Sequence, residues 1–355
     1  MEYDVIHFEA LGEEAIHLEE ETKKAQEAGL LPKSLKYLIV PENLQLYLQA
    51  HPDLELPSII TTKTHSRLPE GYLLGDKKSV ITRSAGYDHF EDLAEKVNVA
   101  SLREYCVNAV AQTAIKFLYA IAGRLNEYTK NTLSFERNKT LSFIELGPHR
   151  VATVFGVGKI GKRTYELLEG NGLTVQAVDI RDEELKQVYG DSVKFVSKEE
   201  AIKNSDIIVN TMNLTKNPES KFYNVNYFSE EYLSKGKDNL IFVNVTRGDI
   251  APEKGLLNLY EKGKLAGIGL DVFCDEAKFA SGLKTNVFDT ENLLAAKIIL
   301  ERAVDRTANF YVQPHQGFNS DLAAIAKARE AIKHICDWYK NDKKKFDEQL
   351  PYYTD

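Results

Sequence analysis

The sequence predicts an α/β protein built on parallel sheets in two domains. Three observations carry this. The chain has 355 residues, room for two domains at roughly 100–200 residues each. Its first hundred residues alternate short apolar runs with polar, helix-like stretches. From Arg150 a second and more regular series of the same kind begins, opened by a glycine turn. Alternating strand and helix signals fold as parallel sheets with helices on their faces.

In the first series, residues 5–8, 37–40, 58–60 and 79–82 read as short buried strands, and 13–28 as a helix. Val107, Val110, Ala111, Ala114, Ile115, Leu118, Ile121, Ala122 and Leu125 then recur at helical spacing. That stripe is wide for a surface helix. It fits a buried interdomain helix and a dimer face equally well. The stretch that follows, to 138, is polar. The second series places strands at 151–155, 174–178, 206–210, 240–245 and 267–273. Helices are expected from the glycine turn to about 168, at 253–262 and at 291–302. Lys343, Lys344 and Lys345 read as a solvated helix end.

Hydrophobic residues make up 43% and charged residues 28%, which excludes collagen-like, disordered and coiled-coil chains. A net charge of −8 disfavours a broad nucleic-acid-binding surface. Cys106, Cys274 and Cys336 are too scattered for a disulfide framework or a metal site, which suits a reducing, cytoplasmic setting. The start has no basic, apolar signal-peptide pattern, and no 18-residue apolar run implies a membrane span. Asn-x-Ser/Thr matches at Asn138, Asn213 and Asn244 carry no weight in a cytosolic chain.

Gly156-Val157-Gly158-Lys159-Ile160-Gly161 lies between a predicted strand and a predicted helix. The first glycine permits the tight turn, the second a close approach of backbone to a pyrophosphate, and the third close packing of helix on strand. The helix start offers free N–H groups and a positive dipole end to phosphates. Asp179 ends the next strand, near the spacing of about 20 residues expected for a carboxylate on a ribose 2′-hydroxyl. The series therefore predicts a Rossmann-type dinucleotide domain. Asp179 favours NAD over its 2′-phosphorylated form, a preference that Arg181 softens.

Three further segments bear on chemistry. They are Phe242-Val243-Asn244-Val245-Thr246-Arg247-Gly248-Asp249, Gly267 through Glu276, and Val312-Gln313-Pro314-His315-Gln316-Gly317-Phe318. With the glycine turn, they resemble the NAD-dependent D-2-hydroxyacid dehydrogenase family over most of the chain. Ser84-Ala85-Gly86-Tyr87-Asp88-His89 is similar to that family's substrate-carboxylate loop. Asn108-Ala109-Val110-Ala111-Gln112 is similar to the start of its long interdomain helix. Tyr105 and Phe318 resemble the D-lactate dehydrogenase branch.

The resemblance implies Arg247, Glu276 and His315 as the catalytic set. An arginine offers a planar fork for a substrate carboxylate. A histidine gives a proton to a ketone oxygen and takes it back in reverse. Glu276 would orient the imidazole; Asp275 stands beside it, and the family spacing from Asp271 selects Glu276. Backbone N–H groups of Ala85 and Gly86 would hold the carboxylate, with Tyr105 and Phe318 near the substrate. Lys159, Ile160, Met212, Asn213, Val245, Thr246 and Asp271 would contact NAD. Met212 and Asn213 stand where the family usually has Val-Pro. The interval from Glu276 to His315 is longer than in most of the family, and Gln316 to Ser320 departs from its usual small residues.

Because His315 follows the dinucleotide series, chain order implies a discontinuous catalytic domain, residues 1–103 and 311–355, into which an NAD-binding domain, 104–310, is inserted. Both would be Rossmann-like or flavodoxin-like, hinged near 104 and 310. The expected activity is reversible reduction of a 2-oxo acid, pyruvate-like or larger, to the D-2-hydroxy acid. A homodimer is expected, with no metal. The competing expectation is an NAD-sensing corepressor-like protein with little turnover.

Overall fold

The computed structural model describes residues 3–74, 76–135, 137 and 140–353. Asn138 and the first two residues of the chain lie outside them. The chain divides into two compact units, residues 1–106 with 319–355, and residues 107–318.

The first unit opens with β1 (Val5–His7), α1 (Gly12–Glu27), β2 (Tyr37–Ile39), α2 (Leu44–Ala50), β3 (Ile59–Thr62), α3 (Glu70–Leu73), β4 (Ser79–Thr82) and β5 (Asn98–Ser101). The second unit follows with α4 (Val107–Ala122), α5 (Leu125–Asn131), β6 (Val151–Phe155), α6 (Lys159–Gly170), β7 (Thr174–Val178), α7 (Asp182–Tyr189), α8 (Lys198–Asn204), β8 (Ile207–Asn210), α9 (Glu230–Ser234), β9 (Leu240–Asn244), α10 (Glu253–Glu261), β10 (Leu265–Leu270), α11 (Glu276–Thr285), α12 (Glu291–Val304) and β11 (Phe310–Val312). The chain then returns to the first unit with α13 (Ala323–Lys340).

The first unit holds a five-stranded parallel sheet in the order β2-β1-β3-β4-β5. α1 and α13 pack together on one face, where Leu18, Ala328, Ile332, Ile335 and Trp338 share a core with Val5 and Ile81. Residues after α13 lie along β5: the Leu350 N–H donates to the Val99 carbonyl at 2.8 Å, and the Ser101 N–H donates to the Tyr352 hydroxyl at 2.7 Å. Arg83 is wholly buried and donates from Nε to Glu14 at 2.8 Å. Lys63 meets the other Glu14 oxygen at 2.5 Å, and Lys327 lies 4.0 Å from it. Burial pulls the Lys327 ammonium down to about 8, with Glu14 acting in the opposite sense.

The second unit holds a six-stranded parallel sheet in the order β11-β10-β9-β8-β6-β7. The order reverses between β6 and β8, and open α/β sheets bind ligands at the carboxyl ends of such strands. α4 lies on this sheet against β9, β10 and β11 and against α6. Its buried residues include Val110, Ala114, Phe117, Leu118 and Ile121. The apolar stripe is therefore covered within its own unit, and most of it is core rather than a free dimer face.

Two sequence expectations shift. Strand β11 is hydrogen-bonded to β10, so the chain leaves this unit after Phe318 rather than near 310. Helix α13 ends at Lys340, and Lys343 to Lys345 lie in the turns beyond it, not at a helix end. The polar stretch after α4 contains helix α5. Among the described residues no helix is long and apolar enough to cross a membrane, and no group of three His, Cys, Asp or Glu side chains is placed to hold a metal.

Candidate active site

The glycine turn lies at the reversal of strand order, between β6 and α6. Gly156 has φ +84°, where a side chain is strained, and a Cβ there would lie 2.7 Å from the Met212 Cα. A Cβ on Gly161 would lie 1.9 Å from the Gly156 carbonyl oxygen. Gly158 differs: it precedes α6, its φ is −72°, and a Cβ on it would meet nothing within 4 Å. Two glycines are thus required by the protein's own packing. The third fronts open space at a helix N-terminus, which fits a phosphate. Lys159 and Ile160 form the first turn of α6.

Asp179 follows β7. Its Oδ2 accepts the Val157 N–H of the turn at 2.7 Å, and its Oδ1 accepts the Arg181 N–H at 2.9 Å. The Arg181 guanidinium lies 3.5 Å from the same Oδ1. Met212 and Asn213 follow β8. The Met212 N–H donates to the Asn210 side chain at 3.1 Å, and the Asn213 carbonyl accepts from Asn224 at 2.6 Å. Beyond β9, Val245 is buried, and the Thr246 hydroxyl accepts from Asn210 at 2.9 Å. The residues expected to hold the dinucleotide therefore lie after β6, β7, β8 and β9, and Asp271 after β10, at the carboxyl edge of one sheet.

Arg247 follows β9, and its Nη1 donates to the Thr246 carbonyl at 2.9 Å. After β10 the chain passes Asp271 and turns sharply at Asp275, φ +46°, into α11. Asp275 caps that helix, accepting the Lys278 N–H at 3.4 Å and pairing with the Lys278 ammonium at 2.9 Å. Of the two adjacent acids it is Glu276 that meets the histidine, its Oε2 lying 2.9 Å from His315 Nδ1. Glu276 Oε1 accepts the Phe273 N–H at 3.3 Å. Burial alone would raise the Glu276 carboxyl. The hydrogen bond and charge of His315, the Phe273 N–H and the charge of Arg247 outweigh it and hold the group below the usual carboxylate range.

His315 has φ +52°, uncommon for a residue with a Cβ. Its N–H donates to the Asp271 carbonyl at 2.7 Å. The Asp271 carboxylate accepts from Gln313 Nε2 and the Gln316 N–H, each at 2.7 Å, and from the Gly317 N–H at 2.9 Å. Asp271 thereby clamps the whole turn that presents His315. Sequence reading placed Asp271 against the cofactor and missed this second task, since its partners lie more than forty residues away. Burial raises its carboxyl despite those donors.

The first unit carries the other candidates. The Ser84 hydroxyl donates to the Gly86 carbonyl at 2.6 Å, which shapes the turn through Ala85 and Gly86. The Tyr105 N–H donates to Glu330 at 2.7 Å, and its ring lies 5.0 Å from the Lys327 ammonium. Phe318 falls at the end of the second unit.

The model of the D-isomer specific 2-hydroxyacid dehydrogenase NAD binding domain matches residues 115–317, more than half of the chain. The chain belongs to this family. The D-specific alpha-keto acid dehydrogenase of Enterococcus faecium is 26% identical over 271 residues, 74% of this chain and 76% of that protein. The D-lactate dehydrogenase of Staphylococcus aureus (strain MRSA252) is 26% identical over 252 residues, 69% of this chain and 71% of that one. Among solved structures, D-lactate dehydrogenase from Aquifex aeolicus, complexed with NAD and lactic acid, superposes with a TM-score of 0.75. It is 23% identical and covers 99% of this chain and 100% of that chain. D-2-hydroxyisocaproate dehydrogenase gives a TM-score of 0.74 at 18% identity, over 98% and 99%. These structures share the fold. This member of the D-2-hydroxyacid dehydrogenases is an NAD-dependent oxidoreductase.

Proposed function

We propose that this dehydrogenase reversibly reduces a 2-oxo acid, pyruvate-like or larger, to the D-2-hydroxy acid, with His315 as the proton donor. The observation that carries the proposal is the 2.9 Å contact between His315 Nδ1 and a carboxylate kept ionised by its surroundings. An ionised Glu276 accepts the Nδ1 proton and orients the ring. The exchangeable proton is then on Nε2, from which it would pass to the ketone oxygen. Arg247 clamps the substrate carboxylate through its planar fork and polarises the neighbouring ketone. The Ala85 and Gly86 N–H groups of the first unit are the candidates to bind the substrate carboxylate, and Tyr105 and Phe318 are the candidates to contact the substrate side chain.

The residues of the glycine turn fit NAD, which when bound as NADH supplies the hydride to the carbonyl carbon. Gly156, Gly158, Lys159, Ile160 and Gly161 would hold its phosphates and Asp179 a ribose. Met212, Asn213, Val245, Thr246 and Asp271 would line the rest of its path. His315 gives its proton to the oxygen as the carbon is reduced, and Glu276 stabilises the imidazole that must regain a proton for the next turnover.

The test is loss of NADH absorbance with a panel of 2-oxo acids from glyoxylate and pyruvate to branched and aromatic ones. Turnover with at least one is expected. His315→Ala should abolish it while NADH still binds. Tight NADH binding without turnover across the panel would refute the proposal and favour a sensor of the cofactor.

A further inference from the structure

Glu253, the first residue of α10, is a fully buried carboxylate that no step above uses. Its Oε1 accepts the Cys274 N–H at 2.8 Å, and its Oε2 accepts from Asn292 Nδ2. Asn292 stands at the start of α12, and its Oδ1 accepts the Lys254 N–H at 2.9 Å. One buried acid therefore joins α10, α12 and the turn between β10 and α11. Burial raises its carboxyl above the ordinary range.

That turn ends in Glu276. Cys274 immediately precedes Asp275, whose backbone is left-handed, φ +46° and ψ 55°. Such a conformation persists only where its surroundings hold it. The turn is also pressed against the residue after Arg247: a Cβ on Gly248 would lie 2.0 Å from the Phe273 carbonyl carbon and 2.1 Å from the Cys274 nitrogen. The Cys274 N–H thus sits where the Arg247 turn and the Glu276 turn touch. An apolar side chain would fill the space under it without a buried acid's desolvation cost.

We propose that Glu253 is a positioning residue for the reductase: by holding the Cys274 N–H it fixes the turn that aims Glu276 at His315, and Asn292 holds Glu253 in place. This rests on His315 being the proton donor. It also gives the long interval between Glu276 and His315 a task, because α12 supplies Asn292.

The experiment compares the full chain with Glu253→Ala, Glu253→Gln and Asn292→Ala. Two quantities are read besides thermal stability. One is the downfield proton NMR signal of the His315 Nδ1–H, assigned by its loss in His315→Ala; it needs no turnover. The other is steady-state reduction. Glu253→Ala should broaden the Nδ1–H signal and lower kcat by about 10- to 100-fold, the scale of a roughly 1 Å misplacement, with the NADH Kd unchanged. Asn292→Ala should act in the same direction and less strongly. Glu253→Gln keeps an acceptor for the Cys274 N–H but turns its NH2 group on the Asn292 Nδ2 donor, so it should restore both in part and exceed Glu253→Ala. An unchanged Nδ1–H signal and kcat in folded Glu253→Ala overturn the proposal; where that variant does not fold, the same result in Asn292→Ala overturns it. A wild-type protein that shows the signal but reduces no 2-oxo acid refutes the proposed function and leaves the geometric claim to the NMR comparison.

Discussion

Gly158→Ala separates what the fold needs from what the cofactor needs. In the protein, a Cβ at this position meets nothing within 4 Å, and the backbone has φ −72° and ψ −162°, which alanine adopts freely. Alanine is a poorer helix N-cap than glycine by up to about 1 kcal/mol. It also restricts the unfolded chain, which returns about 0.4–1 kcal/mol. Stability should therefore stay within about 1 kcal/mol, or roughly 2–4 °C in Tm for a unit of this size. The added methyl occupies the space in front of the α6 N-terminus. Displacing a phosphate there forfeits a charge-assisted hydrogen bond worth about 1.5–3 kcal/mol, so NADH should bind roughly 10- to 150-fold more weakly. Gly156→Ala is the control. It sets a Cβ 2.7 Å from the Met212 Cα at φ +84°, costing about 1–2 kcal/mol of backbone strain and 1–3 kcal/mol of overpacking. Differential scanning fluorimetry and NADH fluorescence titration read both quantities. An unchanged NADH Kd in Gly158→Ala, or a Tm loss as large as that of Gly156→Ala, would refute the reasoning.

Other perturbations follow from the same geometry. Arg247→Lys keeps the charge but loses the bidentate fork, so the KM for the 2-oxo acid should rise by at least about tenfold in steady-state assays; a wild-type KM would count against the carboxylate clamp. Asp179→Ala removes a carboxylate that would repel a 2′-phosphate, 3.5 Å from the Arg181 guanidinium, so the preference for NADH over NADPH should fall by about tenfold or more. Equal ratios before and after would take Asp179 out of the ribose site. Lys327→Met should raise stability at pH 7 by about 1–3 kcal/mol, because a buried ammonium is removed while Glu14 keeps Arg83 and Lys63. The folded Lys327 loses its proton near 8 and the unfolded one near 10.5. Unfolding therefore takes up a proton between those values, wild-type stability gains with rising pH there, and the advantage of methionine should vanish by about pH 10.5; urea titrations showing a pH-independent advantage would sink this account.

Much of this was legible in the sequence because the physics is local. A tight turn, a close helix contact and a phosphate-facing backbone all ask for glycine within six residues, so Gly156 to Gly161 declared itself. Strands β6, β7, β8 and β9 are buried apolar runs and declared themselves too. Strand β5, Asn-Val-Ala-Ser, did not, since two of its four residues are polar and its burial comes from tertiary packing. Strand β11 has three residues, too few for periodicity, and that is why the chain's exit from the second unit was placed too early. The partners of Asp271 and Glu253 lie on other elements, and an acid at a helix start such as Glu253 is ordinary in any sequence.

Three acids act on the two turns that carry His315 and Glu276, and their environments divide the work. Asp271 and Glu253 are bonded to backbone N–H groups, and burial pushes both carboxyls up. Glu276 is held down by the imidazole it faces and by Arg247. The two raised acids brace the turns that contain the positive-φ residues, His315 and Asp275, and the lowered acid is the one whose charge the chemistry needs. Strain at the reacting residues is therefore matched by hydrogen bonds from acids that stay out of the reaction. Environment, not residue type, assigns the roles. A substitution that loosens the Glu253 brace should thus lower kcat although Glu276 and His315 themselves are untouched.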